Sequence, residues 1–242
     1  MRMAFTPSLG LQRLPILKDG CRYLRLIRSL KIELMNVKKQ IFEGEGVTLD
    51  FKKTITSCEK IARTMVSFAN NKGGRLLIGV ADDGTIKGVK SEDEERYMIT
   101  RAAHMFSRPA LEPRFEEVYV DDKMVLIVDI EESNLKPHSA LAEDGKWWVY
   151  VRVKDKSVLA SKVVVDVLKR SASPTGVLIS YSEKEKTLLE YLESNERIDV
   201  KQLCDLIKVG RRAAQRLLVN LVLSGVIKIH TSEKEEYYTA AA

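Results

Sequence analysis

Arg211, Arg212, Gln215 and Arg216 fall inside the six-residue string "RRAAQR", at the head of the apolar-periodic run "GRRAAQRLLVNLVLSG". On a helix these side chains occupy adjacent turns at one end. Guanidinium forks match phosphate oxygens and guanine edges, and a glutamine amide matches adenine, so this placement suits contact with nucleic acid. A solvated helix face in a protein-docking unit is the alternative. A second stretch, "MVSFANNKGGRLLIGVADDGTIKGV" at 65–89, sets Asn70, Asn71, Gly73 and Gly74 before a strand and Asp82 and Asp83 after it. "NNKGG" could bring backbone N–H groups near a phosphate, but a glycine pair that ends a helix explains it equally well. The sequence contains no GxxxxGK[ST] loop, so ATP is not an expected cofactor.

Other chemistry finds little support. Cys21, Cys58 and Cys204, like His104, His138 and His230, are too widely spaced for a paired-ligand zinc site or a disulfide framework, which fits a reducing cytoplasm. Runs such as "MVLIVDI" are interrupted by charge far short of a membrane span, so no membrane partner is expected. The net charge is +6, and its distribution is uneven: residues 1–34 carry seven Lys/Arg against two acids, 35–181 carry 23 against 22, and 182–242 carry ten against ten. Lys52, Lys53, Arg63, Lys72, Arg75, Lys87, Arg152, Lys154 and Lys156 could line a phosphate-tracking surface or be ordinary solubilising charge. Trp147 and Trp148 alternate on a strand, which points one to the core and leaves the other free for a base or a contact.

The elements that must position these residues follow from periodicity. With 242 residues, 45% of them apolar, the chain has room for a medium domain and a smaller companion. Residues 1–34 form a basic extension without a secretory signal's order, and an alternative reading starts the protein at Met35. "NVKKQIFEGEGVTLDFKK" gives a short helix or strand, a glycine-bounded loop and an extended segment. Ile55, Cys58, Ile61, Ala62, Met65, Phe68 and Ala69 recur at helical spacing over 54–71, leaving Glu59, Lys60 and Arg63 on another face. "RLLIGVAD" reads as a strand, "DDG" as a turn, and "TIKGV" as its antiparallel return. A helix follows from Glu92 to about Phe106, then strands "RFEEVYV", "MVLIVDIEE" and "WWVYVRV", and a helix from Ser161 to Arg170. "SASPTG" within 171–181 is a linker. From 182 to 242 the order is helix, helix, helix, hairpin, which is the order of a winged helix.

Three segments, "GEGVTLDFK" at 44–52, "IARTMVSFANNKGGRLLIGVADDGTIKGV" at 61–89, most specifically from Ser67 on, and "YVRVKDKSVLAS" at 150–161, resemble the Schlafen/AlbA-type DNA-binding domain over about residues 40–170. The middle segment is similar to the family pattern nearly position by position. The resemblance implies nucleic-acid binding, and family members often carry an appended helix-turn-helix module in regulator-like proteins. Some Schlafen proteins are endoribonucleases with three acidic residues. Glu45, Asp50 and Asp82 match those positions, with Asp83 an alternative to Asp82 and with aspartate at 50 where the family usually has glutamate. Such carboxylates could hold Mg2+ or Mn2+.

The expected fold is therefore α+β: a mixed sheet with crossing helices over 35–170, a linker at 171–181 and a small winged helix-turn-helix domain over 182–242. The expected function is nucleic-acid binding of the transcriptional-regulator type, to DNA or RNA. The contacts would be Arg211, Arg212, Gln215 and Arg216, with Lys52, Arg152 and Lys154 as a second surface and no cofactor. One alternative is a metal-dependent endoribonuclease using Glu45, Asp50 and Asp82. Another is a dimerising or docking module, with a homodimer as the assembly.

Overall fold

The computed structural model describes residues 35–171 and 182–241. The readings made for residues 1–34, Cys21 and most of the linker lie outside the described residues. One helix organises the first part of the chain. It is the one expected over 54–71, here named α2 (Cys58–Ala69) in recognition of a helix α1 at 35–43. Ser57 caps its N-terminus by accepting from Lys60 N. Most of α2 is buried, including the polar Thr64 and Ser67, because a sheet lies on each of two sides.

The first sheet joins β1 (Leu49–Lys52), β2 (Gly74–Ile78), β4 (Arg114–Val120) and β5 (Lys123–Ile130) in the order β1-β2-β5-β4. β1 runs parallel to β2, while β5 is antiparallel to both β2 and β4. Strand alternation divides its side chains. Leu76, Ile78, Leu126 and Val128 pack toward α2, whereas Leu77, Val125 and Ile127 form a second core with Val37 and Ile41 of α1. The expected return strand "TIKGV" is reduced to a single antiparallel bridge, Val80 to Ile86, since β5 already occupies the edge of β2. Helix α3 (Glu92–Met105) lies where the sequence placed it, capped by Ser91.

A second, antiparallel sheet, not separated by the sequence reading, covers the other side of α2. It consists of β3 (Ser107–Arg108), β6 (Ser139–Leu141), β7 (Trp147–Val153) and β8 (Lys156–Leu159), in the order β3-β6-β7-β8. β3 and β6 are too short to leave a periodic signal.

The asparagine and glycine pairs explain how α2 connects the two sheets. Buried Asn70 donates from Nδ2 to His138 O and Tyr150 O, both at 2.8 Å, and accepts from His138 N at 2.7 Å. It thereby ties the end of α2 to β7 and the approach to β6. Gly73 has φ +74° and donates to Phe68 O at 3.0 Å; a Cβ there would lie 2.7 Å from Ile130 O. At Gly74 a Cβ would lie 2.4 Å from Phe68 Cδ1. The chain can turn from α2 into β2 this tightly only without side chains at these positions.

The C-terminal part comprises α4 (Lys162–Ser171), α5 (Glu183–Ser194), α6 (Val200–Ile207), α7 (Arg211–Leu223) and the antiparallel pair β9 (Ile227–Thr231) and β10 (Glu236–Ala240). Capping boxes at Ser182/Glu185 and Asp199/Gln202 start α5 and α6. Leu188, Ile198, Leu203, Leu218, Ile227 and Tyr238 form the core, which Val163 of α4 joins. Among the described residues no helix is long and apolar enough to cross a membrane.

Candidate functional site

The β7–β8 hairpin turns at Lys154, an exposed residue with φ +55°, and carries Arg152 inward against the start of β1. The Arg152 side chain is only 2% exposed. Its guanidinium donates to Asp50 Oδ1 at 2.8 Å, to Gly46 O at 3.1 Å and to Leu49 O at 3.3 Å, and it lies 4.9 Å from the Phe68 ring centroid. This arginine ties β7, the loop before β1 and α2 together, and its donors face protein atoms.

Asp50 is equally enclosed. Its Oδ2 lies 2.7 Å from Lys52 Nζ, but the approach lacks hydrogen-bond geometry, and Lys52 Nζ donates instead to Phe51 O at 2.6 Å. The contact is therefore an ion pair without an aligned bond. Glu45 accepts from Phe51 N at 2.7 Å and lies 3.8 Å from Lys52 Nζ. Burial pushes its carboxyl above the ordinary carboxylate value; the charges of Asp50 and Asp82 push the same way, while the Phe51 bond and Lys52 oppose them. Asp82 is exposed, and the neighbouring Asp83 fixes the turn by accepting from Thr85 N at 2.8 Å. The fold thus brings Asp50 and Asp82 each within electrostatic reach of Glu45. As arranged, they do not fit a shared metal ion, because Arg152 and Lys52 occupy the oxygens of Asp50. No group of three or more His, Cys, Asp or Glu side chains among the described residues is placed to hold one.

Around the Asp50–Arg152 pair opens a groove of about 350 Å³, rimmed by Lys52, Lys60, Arg63, Asp155 and Lys156. Lys52 is held by acids, and Lys156 pairs with Glu233 at 2.8 Å. Lys60 and Arg63 are exposed and, among the described residues, have no carboxylate within ion-pair distance. They sit on the solvent side of the first two turns of α2. The same two cations border an adjoining cavity of about 330 Å³, whose other wall includes Trp148 and Tyr150. Of the groove's cations, the sequence reading named Lys52 and Arg152 as contacts and gave Lys60 no role. Helical spacing had already put Lys60 and Arg63 on a common non-core face, and that was the available signal.

Far along the chain, Arg211, Arg212 and Arg216 are exposed on the first turns of α7, with Gln215 half-buried. Arg216 Nε donates to Arg212 O at 3.4 Å, and none of the three arginines has an acidic partner among the described residues. Lys208 in the left-handed conformation, Val209 and Gly210 form the three-residue turn between α6 and α7.

Comparison with known proteins adds the following. No curated protein matches the chain. Among solved structures, a crystal structure of a Corynebacterium diphtheriae protein is similar at 17% identity and a TM-score of 0.41, over 57% of this chain and 30% of that one. This chain therefore spans less than a third of that protein. The solution structure of the N-terminal domain of a RecG-related protein from Nitrosomonas europaea is similar at 20% identity and a TM-score of 0.39, over 53% of this chain and 95% of that one. The Schlafen, AlbA_2 family model matches residues 45–161, a span that starts at Glu45 and closes just after β8. Residues 45–161, just under half of the chain, are thus similar to the Schlafen, AlbA_2 family.

Proposed function

We propose that this chain is a nucleic-acid-binding protein of the transcriptional-regulator type. In this reading the Schlafen, AlbA_2 domain holds the phosphate backbone in the groove beside α2, and α5–α7 with the β9–β10 hairpin act as a winged helix-turn-helix. The observation that carries it is the pairing state of the groove's cations. Arg152 and Lys52 neutralise buried Asp50 and fix the wall, while Lys60 and Arg63 stand at the rim without an acidic partner among the described residues. Unpaired cations on a rigid helix are suited to replacing condensed counterions on a phosphate chain. The similarity of residues 45–161 to the Schlafen, AlbA_2 family supports the same reading.

For the C-terminal unit, the support is the three-residue turn with Gly210 and the exposed arginines at the head of α7, the end of a recognition helix that meets base edges. The carboxylates Glu45 and Asp50 then have a structural task, holding the loop before β1 and the charge of Lys52 and Arg152, while Asp82 lies exposed in the turn beside Asp83. This arrangement favours binding over metal-assisted cleavage.

The test is fluorescence anisotropy with labelled duplex DNA and structured RNA over a salt series, with the products run on a denaturing gel in Mn2+ or EDTA. Affinity that falls steeply with salt, with strands intact in both, is expected. Mn2+-dependent cleavage that disappears in Asp50→Ala would replace this reading with the endoribonuclease one.

A further inference from the structure

The cavity next to the groove combines features that a phosphate-tracking surface does not require. Trp148 is 38% exposed, and its indole Nε1 donates to Asp144 Oδ2 at 3.3 Å, which fixes the ring's orientation. Tyr150 forms the adjacent wall, with the Arg63 guanidinium 5.8 Å from its ring centroid. The about 330 Å³ of space is at the small end of ligand sites and suits one base with its sugar. Charge is divided across it. Asp144, bonded to Trp148, lines it together with Glu59 and Glu143, while Lys60 and Arg63 are the part of the lining shared with the groove. A phosphate is repelled by the acids and attracted to the two cations. A base with an amino group is suited to the acids, since carboxylates accept from exocyclic amines and the indole face stacks.

We propose that this cavity is a base-stacking subsite for a single strand, in which an unpaired base lies on Trp148 while the flanking phosphates are held by Lys60 and Arg63. The proposal rests on the reading of the groove as a nucleic-acid surface and specifies its substrate class. In a duplex the bases are stacked on one another, and no face is free for the indole. Trp147, the preceding residue, is taken up by Arg108, whose guanidinium lies 4.6 Å from its ring centroid, so alternation along β7 leaves Trp148 as the available platform.

The experiment measures binding of a labelled single-stranded oligonucleotide and of the duplex of the same sequence. It compares wild type, Trp148→Ala, Trp148→Phe and the double variant Lys60→Ala/Arg63→Ala, each first shown to melt like wild type. Stacking predicts that Trp148→Ala weakens single-strand binding on the order of tenfold. It also predicts an unchanged salt slope and duplex affinity, and recovery of most of the loss by Trp148→Phe. The double variant should flatten the salt slope. Salt-dependent binding of both probes with no selective effect of Trp148→Ala would overturn the subsite and leave the groove standing. Absence of salt-dependent binding to either probe would overturn both.

Discussion

Arg152→Met keeps most of the arginine's aliphatic stem and removes its charge from a site where both partners are almost fully enclosed, the side chains of Arg152 and Asp50 being 2% and 5% exposed. Deleting one member of a buried pair leaves an uncompensated charge, at a cost of about 3–5 kcal/mol. Bonds to Gly46 O and Leu49 O disappear as well. Lys52, 2.7 Å from Asp50 Oδ2, remains to offset part of the loss, which puts the expectation near the lower end, about 3 kcal/mol. With a urea slope of about 2 kcal/mol/M, the midpoint should fall by about 1.5 M. Tryptophan fluorescence is the appropriate probe, because Trp147 and Trp148 lie on the strand that carries Arg152. Asp50→Asn and the double variant complete a cycle in which the double variant is more stable than the sum of the single losses predicts. A loss below about 1 kcal/mol, accompanied by weakened nucleic-acid binding, would refute the reasoning and return Arg152 to the contact surface.

Three further outcomes follow from the packing. Gly74→Ala should destabilise by about 1–3 kcal/mol in denaturant melts, because the new Cβ meets the ring of fully buried Phe68; a neutral result would mean that the α2–β2 junction is looser than described. Asn70→Ala should lower stability on the order of 3 kcal/mol, since it leaves two carbonyls and one N–H without their partner between α2 and the second sheet. Burial, aided by the charge of Lys136 and opposed by the Pro109 bond, holds His138 below the usual imidazole value of 6.5. The native state then binds fewer protons than the unfolded chain just below that value, so this contribution is complete above pH 6.5 and declines on acidification. The stability gap between wild type and His138→Gln should therefore narrow from pH 7.5 to about pH 5.5, and a constant gap would contradict it.

Local signals were readable where local physics decides. The apolar spacing from Cys58 to Ala69 gave α2, the run from Glu92 to about Phe106 gave α3, and "DDG" gave the turn that Asp83 fixes through Thr85 N. The second sheet was not readable as a separate layer, because its β3 and β6 have two and three residues and depend on long-range pairing. The site divides in the same way. Glu45, Asp50 and Lys52 are close in sequence, and the fold keeps them together. That Arg152 faces inward could not be deduced from composition, because its partner Asp50 is 102 residues away. For the same reason, the unpaired state of Lys60 and Arg63 emerges only when the acids of the groove have been assigned to other cations.

The most direct measurement of the central claim is the affinity of Lys60→Glu/Arg63→Glu for a labelled nucleic acid, set beside Arg211→Glu/Arg212→Glu and Lys154→Ala at one moderate salt concentration. The account predicts a large loss in the first variant, a loss in the second that is strongest on duplex DNA, and little change in the third, with all three folded. Wild-type affinity in the Lys60/Arg63 variant would contradict the groove as the binding surface.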